Sequence, residues 1–293
     1  MIILKGVKMK YFVFLILFSF STLASASIDV ATFNIKWIGY SSDRDNVGLA
    51  EMLADRDVVF VQELVSPPYE GAFPNGEPYK PDKESKDFFN AMKNVGFSYA
   101  LSPSDTGPIE SNGNNSSSTE WFVVFFKKEL VSILEHNYIE SDITNNQFFK
   151  RVPYRFLILE KNRNKEFEFV STHLNPGNSL KDRGYRKKEV NRLIKWSTLK
   201  SKPLIILGDM NIYDCNRFEN WLSNNFKRVT KNCEGTNLKK DKPYDQVIYK
   251  GDIKIKEYKV VDLYDSFNMP RDTYWRDMSA KYSDHHPIFF TID

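Results

Sequence analysis

The residues best suited to chemistry stand at the ends of short apolar runs. Asn34 follows Val30-Ala31-Thr32-Phe33, and Gln62-Glu63 follows Val58-Val59-Phe60-Val61. His173 follows Phe169-Val170-Ser171-Thr172, and Gly208-Asp209-Met210-Asn211 follows Leu204-Ile205-Ile206-Leu207. Ser283-Asp284-His285-His286 precedes the last apolar run. Asn34, Glu63, Asp209, Asn211 and Asp284 offer hard oxygen ligands of the kind that Mg2+ or Mn2+ selects. His173 and His285 are general acids or bases at neutral pH. The chain has four histidines in all, so two of them beside carboxylates at strand ends is a concentrated signal. Singly each motif is ambiguous. Gly-Asp-x-Asn and Ser-Asp-His-His also make plain turns, and Gln62-Glu63 also fits a solvated strand end. Together, in order, they describe a hard-metal site with two proton-transfer groups.

Such a set needs strands to gather it. Ile28–Ile35, Val58–Gln62, Trp121–Phe126, Phe156–Leu159, Phe167–Thr172, Leu204–Leu207, Gln246–Tyr249 and Ile288–Ile292 are rich in Val, Ile and Phe and predict strands. Several are apolar throughout, as expected for strands covered on both faces. Helical spacing occurs in fewer places. Ser85 is positioned to cap a helix carrying Phe88, Phe89, Met92 and Val95. Val190, Leu193, Ile194 and Leu199 mark a second, and Val47, Leu49, Met52 and Leu53 a third. Strands outnumber helices, and the helices fall between them. The expected class is α/β, with two packed sheets and helices outside. Pro67 to Pro81 and Ser111 to Ser118 read as long loops within one domain.

The 293 residues carry 41 Lys+Arg against 38 Asp+Glu, a formal net charge of +3. With 41% hydrophobic residues and 27% charged, disorder, collagen-like repeats and multispan membrane architectures are excluded. The excess charge has a local source. Residues 1–26 read as an export signal: Lys5, Lys8 and Lys10 precede an apolar run from Tyr11 to Phe20, followed by Ala24-Ser25-Ala26. That run is about ten residues, against roughly 20 for a spanning helix. Cleavage near Ala26 leaves a mature domain of 27–293 with equal numbers of basic and acidic residues, so net charge names no partner. Export, to the periplasm or the medium, allows a disulfide between Cys215 and Cys233, with a pair of free thiols as the alternative. The sequons at Asn114 and Asn115 carry meaning only in a eukaryotic secretory pathway. His136 has no motif around it and is expected on the surface.

The ordered set Thr32-Phe33-Asn34-Ile35, Gln62-Glu63, Thr172-His173-Leu174, Gly208-Asp209-Met210-Asn211 and Ser283-Asp284-His285-His286-Pro287 resembles the endonuclease/exonuclease/phosphatase superfamily. The resemblance runs from Ile28 to Ile292. It implies a four-layer α/β sandwich, with two mostly antiparallel β-sheets packed face to face and helices outside. It also implies metal-dependent cleavage of phosphoester bonds. Within the superfamily the chain is most similar to the deoxyribonuclease I branch. That likeness implies Glu120 paired to His173, Asp245 of Tyr244-Asp245-Gln246 paired to His285, and Arg151 of Arg151-Val152-Pro153 touching DNA. It further implies a disulfide joining Cys215 and Cys233. Ser118 stands where that branch keeps a tyrosine, and the Arg-Ile-Asp pattern of abasic-site endonucleases is absent.

The resemblance implies a catalytic set of His173, His285, Glu120, Asp245, Asp209 and Asn211. Glu63, Asn34 and Asp284 are the expected holders of Mg2+ or Mn2+, and a structural Ca2+ is compatible. Arg151, Asn211 and Asn34 are the expected phosphate contacts. Which histidine is the base stays open. The basic run Arg183, Arg186, Lys187 and Lys188 lies either near a phosphate backbone or on a solvated helix face. The expected activity is that of a monomeric, secreted or periplasmic endonuclease acting on nucleic acid, double-stranded DNA first, without stable membrane association. The alternative is a sphingomyelinase-like lipid-headgroup phosphodiesterase. Such enzymes add an exposed aromatic hairpin for membrane docking; the sequence shows no clear one, though Tyr264 to Trp275 leaves some room.

Overall fold

The computed structural model describes residues 27–39, 43–72, 76–106, 120–140, 148–230 and 232–293. The expected export signal (1–26), the sequons at Asn114 and Asn115, Ser118 and Pro74 lie outside the described residues. In chain order the elements are β1 (Ile28–Ile38), α1 (Asn46–Leu53), β2 (Val58–Leu64), β3 (Gly71–Ala72), β4 (Pro78–Tyr79), α2 (Lys83–Asn94) and β5 (Ser98–Leu101). There follow β6 (Trp121–Phe126), β7 (Val131–Tyr138), β8 (Tyr154–Glu160), β9 (Lys165–His173), α3 (Leu180–Ser197) and β10 (Leu204–Asp209). The chain ends with α4 (Cys215–Glu219), β11 (Lys227–Arg228), β12 (Asp245–Lys250), β13 (Ile255–Val260), α5 (Leu263–Ser266), α6 (Trp275–Lys281) and β14 (Ile288–Ile292).

Two six-stranded sheets form the frame, in the orders β13-β14-β1-β2-β6-β5 and β11-β12-β10-β9-β8-β7. The period-2 alternation of side chains explains why they stack. Along β1, Ile28 and Val30 face the second sheet, while Ala31, Phe33 and Ile35 face the helical layer of Leu49, Leu53, Phe88 and Met92. In β10, Ile205 and Leu207 face the first sheet, while Leu204 and Ile206 pack on Val190 and Leu193 of α3. Three buried clusters therefore fill the three spaces between four layers, which is the expected α/β sandwich. Each large sheet carries one parallel pair, β1 with β2 and β9 with β10; the other pairings are antiparallel.

Several local expectations shift. Asp82, not Ser85, caps α2, its carboxylate accepting from Glu84 N at 2.7 Å. Ser85 Oγ instead donates to Ser66 O at 2.7 Å. Leu199 lies past the end of α3 and is 84% exposed, and Val47 is 61% exposed, so neither belongs to the core. Arg186 of the basic run is buried and donates to the carbonyls of Asn175 and Gly177 at 2.6 and 3.0 Å, whereas Lys187 and Lys188 are solvated. His136 is on the surface as expected, its Nδ1 2.9 Å from the Tyr154 hydroxyl. Cys215 and Cys233 are disulfide-bonded. Among the described residues no helix is long and apolar enough to cross a membrane.

Candidate active site

The strand directions bring the polar motifs to one end of the sandwich. β1 and β2 run parallel in one sheet, β9 and β10 in the other, and their C-terminal ends carry Asn34, Glu63, His173 and Asp209. Their antiparallel neighbours β6, β8, β12 and β14 start at that same end. They therefore deliver Glu120, Arg151, Asp245, Asp284 and His285 from their first residues or the loops just before them. The site thus draws on strand beginnings as well as strand ends.

Local distortion aims the side chains. The pairing of β1 with β2 slips between Asn34 and Ile38, and that of β2 with β6 slips between Val61 and Leu64. Lys36, Trp37 and Glu63 adopt positive φ of 57°, 50° and 64° there. A bulge re-aims a side chain at the cost of backbone strain. Across the site, Gly208 has φ of 125°, and a Cβ there would meet Thr172 O at 2.2 Å. Only glycine allows β9 and β10 to approach this closely while presenting Asp209 and His173 side by side.

Asp209 is the centre of the arrangement. Its Oδ2 accepts from Asn34 Nδ2 at 3.0 Å and lies 3.4 Å from His173 Nε2 and 3.8 Å from His285 Nε2. Its Oδ1 accepts from Asn211 N at 2.8 Å. The far nitrogen of each imidazole meets a second carboxylate: His173 Nδ1 is 2.6 Å from Glu120 Oε1, and His285 Nδ1 is 2.7 Å from Asp245 Oδ2. Both expected carboxylate–histidine pairs are therefore in place. Each carboxylate holds its ring by Nδ1 and leaves Nε2 toward the shared space. Ser283 ties the segment before β14 to β1 at this point, its hydroxyl donating to Asn34 O at 2.7 Å and accepting from His285 N at 3.0 Å.

The electrostatics follow from burial and neighbours. Burial drives the Glu63 carboxyl upward, and Glu120 and Asp284 add to that, outweighing His173 and Asn34. For Glu120 burial also pushes upward, but Arg151, 2.7 Å away, and His173 prevail and bring it down to about 2. Burial lowers His285, yet Asp245 and Asp209 overcome it and raise the ring well above the usual histidine range. Burial and Arg151 lower His173, while Glu120 and Asp209 raise it to a smaller net extent.

Four of the expected site residues make contacts that bear on their expected roles. Asn34 was expected to hold metal or phosphate, but both its amide hydrogens are taken by Glu63 Oε1 at 2.8 Å and Asp209 Oδ2, and its Oδ1 accepts from Lys36 N. It holds the two carboxylates together. Asp284 was also expected as a metal ligand; among the described residues, the group whose ligand atoms lie within 4.8 Å of one another is Glu63, His173 and Asp209. Asp284 instead lines the cleft beside His285. Asn211 spends one amide hydrogen on Leu174 O at 3.0 Å and keeps the other. Arg151 is buried against Glu120, so it reaches this centre through that ion pair. The chemistry of the donor set fits a hard divalent cation: Glu63 is pushed toward protonation by desolvation and, to a smaller extent, by Glu120 and Asp284, which a cation beside Asp209 would relieve.

Glu189 escaped the sequence reading. Its carboxylate is fully buried and accepts from Lys150 N and Asn175 N, both at 2.8 Å. It ties the loop bearing Arg151 to the loop after His173. An acid on the apolar face of α3, next to Val190 and Leu193, was its one sequence signal.

Solved structures share this architecture. The human Nocturnin catalytic domain with bound sulfate anion superposes with a TM-score of 0.62 at 16% identity, covering 92% of this chain and 94% of that one. Danio rerio TDP2 complexed with single strand DNA product gives 0.59 at 15%, covering 91% and 99%. The mannosyl-6-phosphatase of Bacteroides thetaiotaomicron gives 0.58 at 16%, covering 91% and 99%. No curated protein sequence matches the chain. The sequence profile of the Endonuclease/Exonuclease/phosphatase family matches residues 31–285, and with its motifs gathered at one end of the sandwich the chain belongs to that family.

Proposed function

We propose that the protein is a divalent-metal-dependent phosphodiesterase that hydrolyses nucleic acid, DNA first. One observation carries this reading: two imidazoles, each held at Nδ1 by its own carboxylate, converge through Nε2 on Asp209 Oδ2. Hydrolysis of a diester needs one group to take a proton from water and another to return one to the leaving oxygen. His173 and His285 supply that pair on either side of the phosphate. Glu63 and Asp209 would hold a Mg2+ or Mn2+ ion, which when bound neutralises charge on the phosphoryl oxygens. Asn211, with one amide hydrogen remaining, donates to a phosphoryl oxygen. The leader-like residues 1–26 and the Cys215–Cys233 disulfide support an exported enzyme.

Supercoiled plasmid, RNA and sphingomyelin vesicles incubated with the protein, with Mg2+ and with EDTA, test the reading. Plasmid nicking that EDTA abolishes is expected. Hydrolysis of sphingomyelin alone overturns it. His173→Ala and His285→Ala are each expected to remove activity by at least about 100-fold while the thermal transition stays in place; near-normal turnover in either sinks the histidine assignment.

A further inference from the structure

Beside His285 the surface opens into a cleft of about 380 Å³, whose walls include Lys239, Lys242, Tyr244, Trp275 and Asp284. That volume lies in the range of small-molecule sites, roughly 300–1,000 Å³. Its outer wall is a tryptophan on a fixed base. Met278 and Ser279 of α6 are buried, Lys36 Nζ bonds Ser279 Oγ, and Tyr282 just past the helix stacks on Phe267 with ring centroids 3.8 Å apart. Yet Trp275 at the start of α6 remains 43% exposed and Tyr274 before it 52% exposed. Adjacent aromatic surface left in water on an anchored element marks a binding surface. The inner wall is Tyr244, whose ring centroid is 5.6 Å from His285 and 5.0 Å from Tyr213. Lys242 pairs with Asp241 at 3.5 Å, while Lys239 is solvated and forms no ion pair among the described residues.

We propose that this cleft is a nucleobase subsite. The base of the nucleotide next to the scissile phosphate stacks on Trp275, and the following phosphate lies toward Lys239. The proposal rests on the nucleic-acid reading above and narrows it. Aromatic faces with nearby cations bind unstacked bases whatever their sequence. A base reaches this cleft only after leaving the helix stack, so the subsite favours single strands over duplex. The surroundings argue against a lipid layer. Arg276 lies over both rings, 5.7 Å from Tyr274 and 5.4 Å from Trp275, and Lys239, Lys242 and Asp284 share the concave wall. Seating those charges in acyl chains is costly.

The test compares two single-stranded polymers in Mg2+: oligothymidylate, and a matching oligomer of abasic tetrahydrofuran residues. Both offer phosphodiesters, and only the first offers bases. The ratio of their kcat/KM values is the readout. Trp275→Ala is expected to lower that ratio about tenfold through KM on oligothymidylate, the order that one base–aromatic stack supplies. Trp275→Phe, which keeps a stacking face, is expected to stay within about threefold of the wild type. An unchanged ratio in Trp275→Ala, with both polymers still cleaved, overturns the subsite and leaves the nuclease reading standing. Loss of vesicle binding alone in that variant also overturns it, in favour of a membrane contact. Failure of the wild-type protein to cleave oligothymidylate while plasmid is still nicked overturns the subsite, and failure on plasmid as well overturns the nuclease reading itself.

Discussion

A single oxygen, Asp209 Oδ2, receives Asn34 and faces both catalytic candidates, His173 and His285. The two histidines are therefore tuned by one common carboxylate and by one private carboxylate each. The private one is the cleaner handle. Asp245 raises His285 and fixes its Nδ1 as the donor. Asp245→Asn keeps the shape and removes the charge, so the His285 pKa falls and the limb of the pH–kcat/KM profile that it governs moves to lower pH. A loss of about 10³-fold in kcat is expected from the misplaced proton. A pH profile that coincides with the wild type would show that Asp245 does not set the state of His285. At Gly208 the constraint is steric. Gly208→Ala adds a Cβ 2.2 Å from Thr172 O at a φ of 125°, and thermal unfolding is expected to show a loss of about 3 kcal/mol or more.

At the scale of elements, α3 is the piece that joins two site loops. Burial lifts its Glu189 to about 7, against the backbone donors Asn175 and Lys150 and the nearby Arg151 and Arg186. A folded pKa above the ordinary 4.5 means that this group's stabilising contribution is fully present below pH 4.5. It is lost as the pH rises through about 7. Glu189→Gln cannot ionise, so the fall in wild-type stability across that window, on the order of 3 kcal/mol, is expected to flatten in urea melts. A variant with the wild-type slope would remove Glu189 from the account. The same contrast between buried and half-exposed groups explains what the sequence made legible. Interior strands such as β2 (VVFVQEL) and β10 (LIILGD) are buried on both faces and advertise themselves by apolar content. Besides the short hairpin of β3 and β4, which lies in the segment read as a loop, the strands left unassigned were β5, β7, β11 and β13, the four edges of the two large sheets. There sequences such as VSILEHNY and IKEYKV mix charge into the pattern because one side meets water. The site residues were legible one motif at a time. The double use of Asn34 was not, since it depends on a partner 175 positions away.

Seen whole, the molecule places half of its acidic centre on each sheet: Glu63 ends β2 in the first, and Asp209 ends β10 in the second. Net charge would contribute little to the proposed binding, because residues 27–293 carry equal numbers of basic and acidic residues. Contacts to a polyanion must come from placement around the site, and the salt dependence of binding should report the number of those local phosphate contacts. The two sheets are joined there by polar contacts: Asn34 bridges Glu63 and Asp209, Gln62 Nε2 donates to Ser171 Oγ at 3.1 Å, and His173–Glu120 and His285–Asp245 cross between them. A cation held by Glu63 and Asp209, as proposed above, would act as a clamp between layers as well as a reagent. Bound to the folded state alone, it adds about 2.7 kcal/mol at a hundredfold excess over its dissociation constant. For a domain of this size that corresponds to a rise of about 5–10 °C in Tm. Thermal melts in Mg2+ or Mn2+ against EDTA are expected to show that rise, and Glu63→Gln, which keeps the hydrogen-bonding outline, is expected to abolish it. Because the readout is stability, it is independent of turnover. An equal rise in Glu63→Gln would place the cation elsewhere, and no rise in the wild-type protein would deny the clamp altogether.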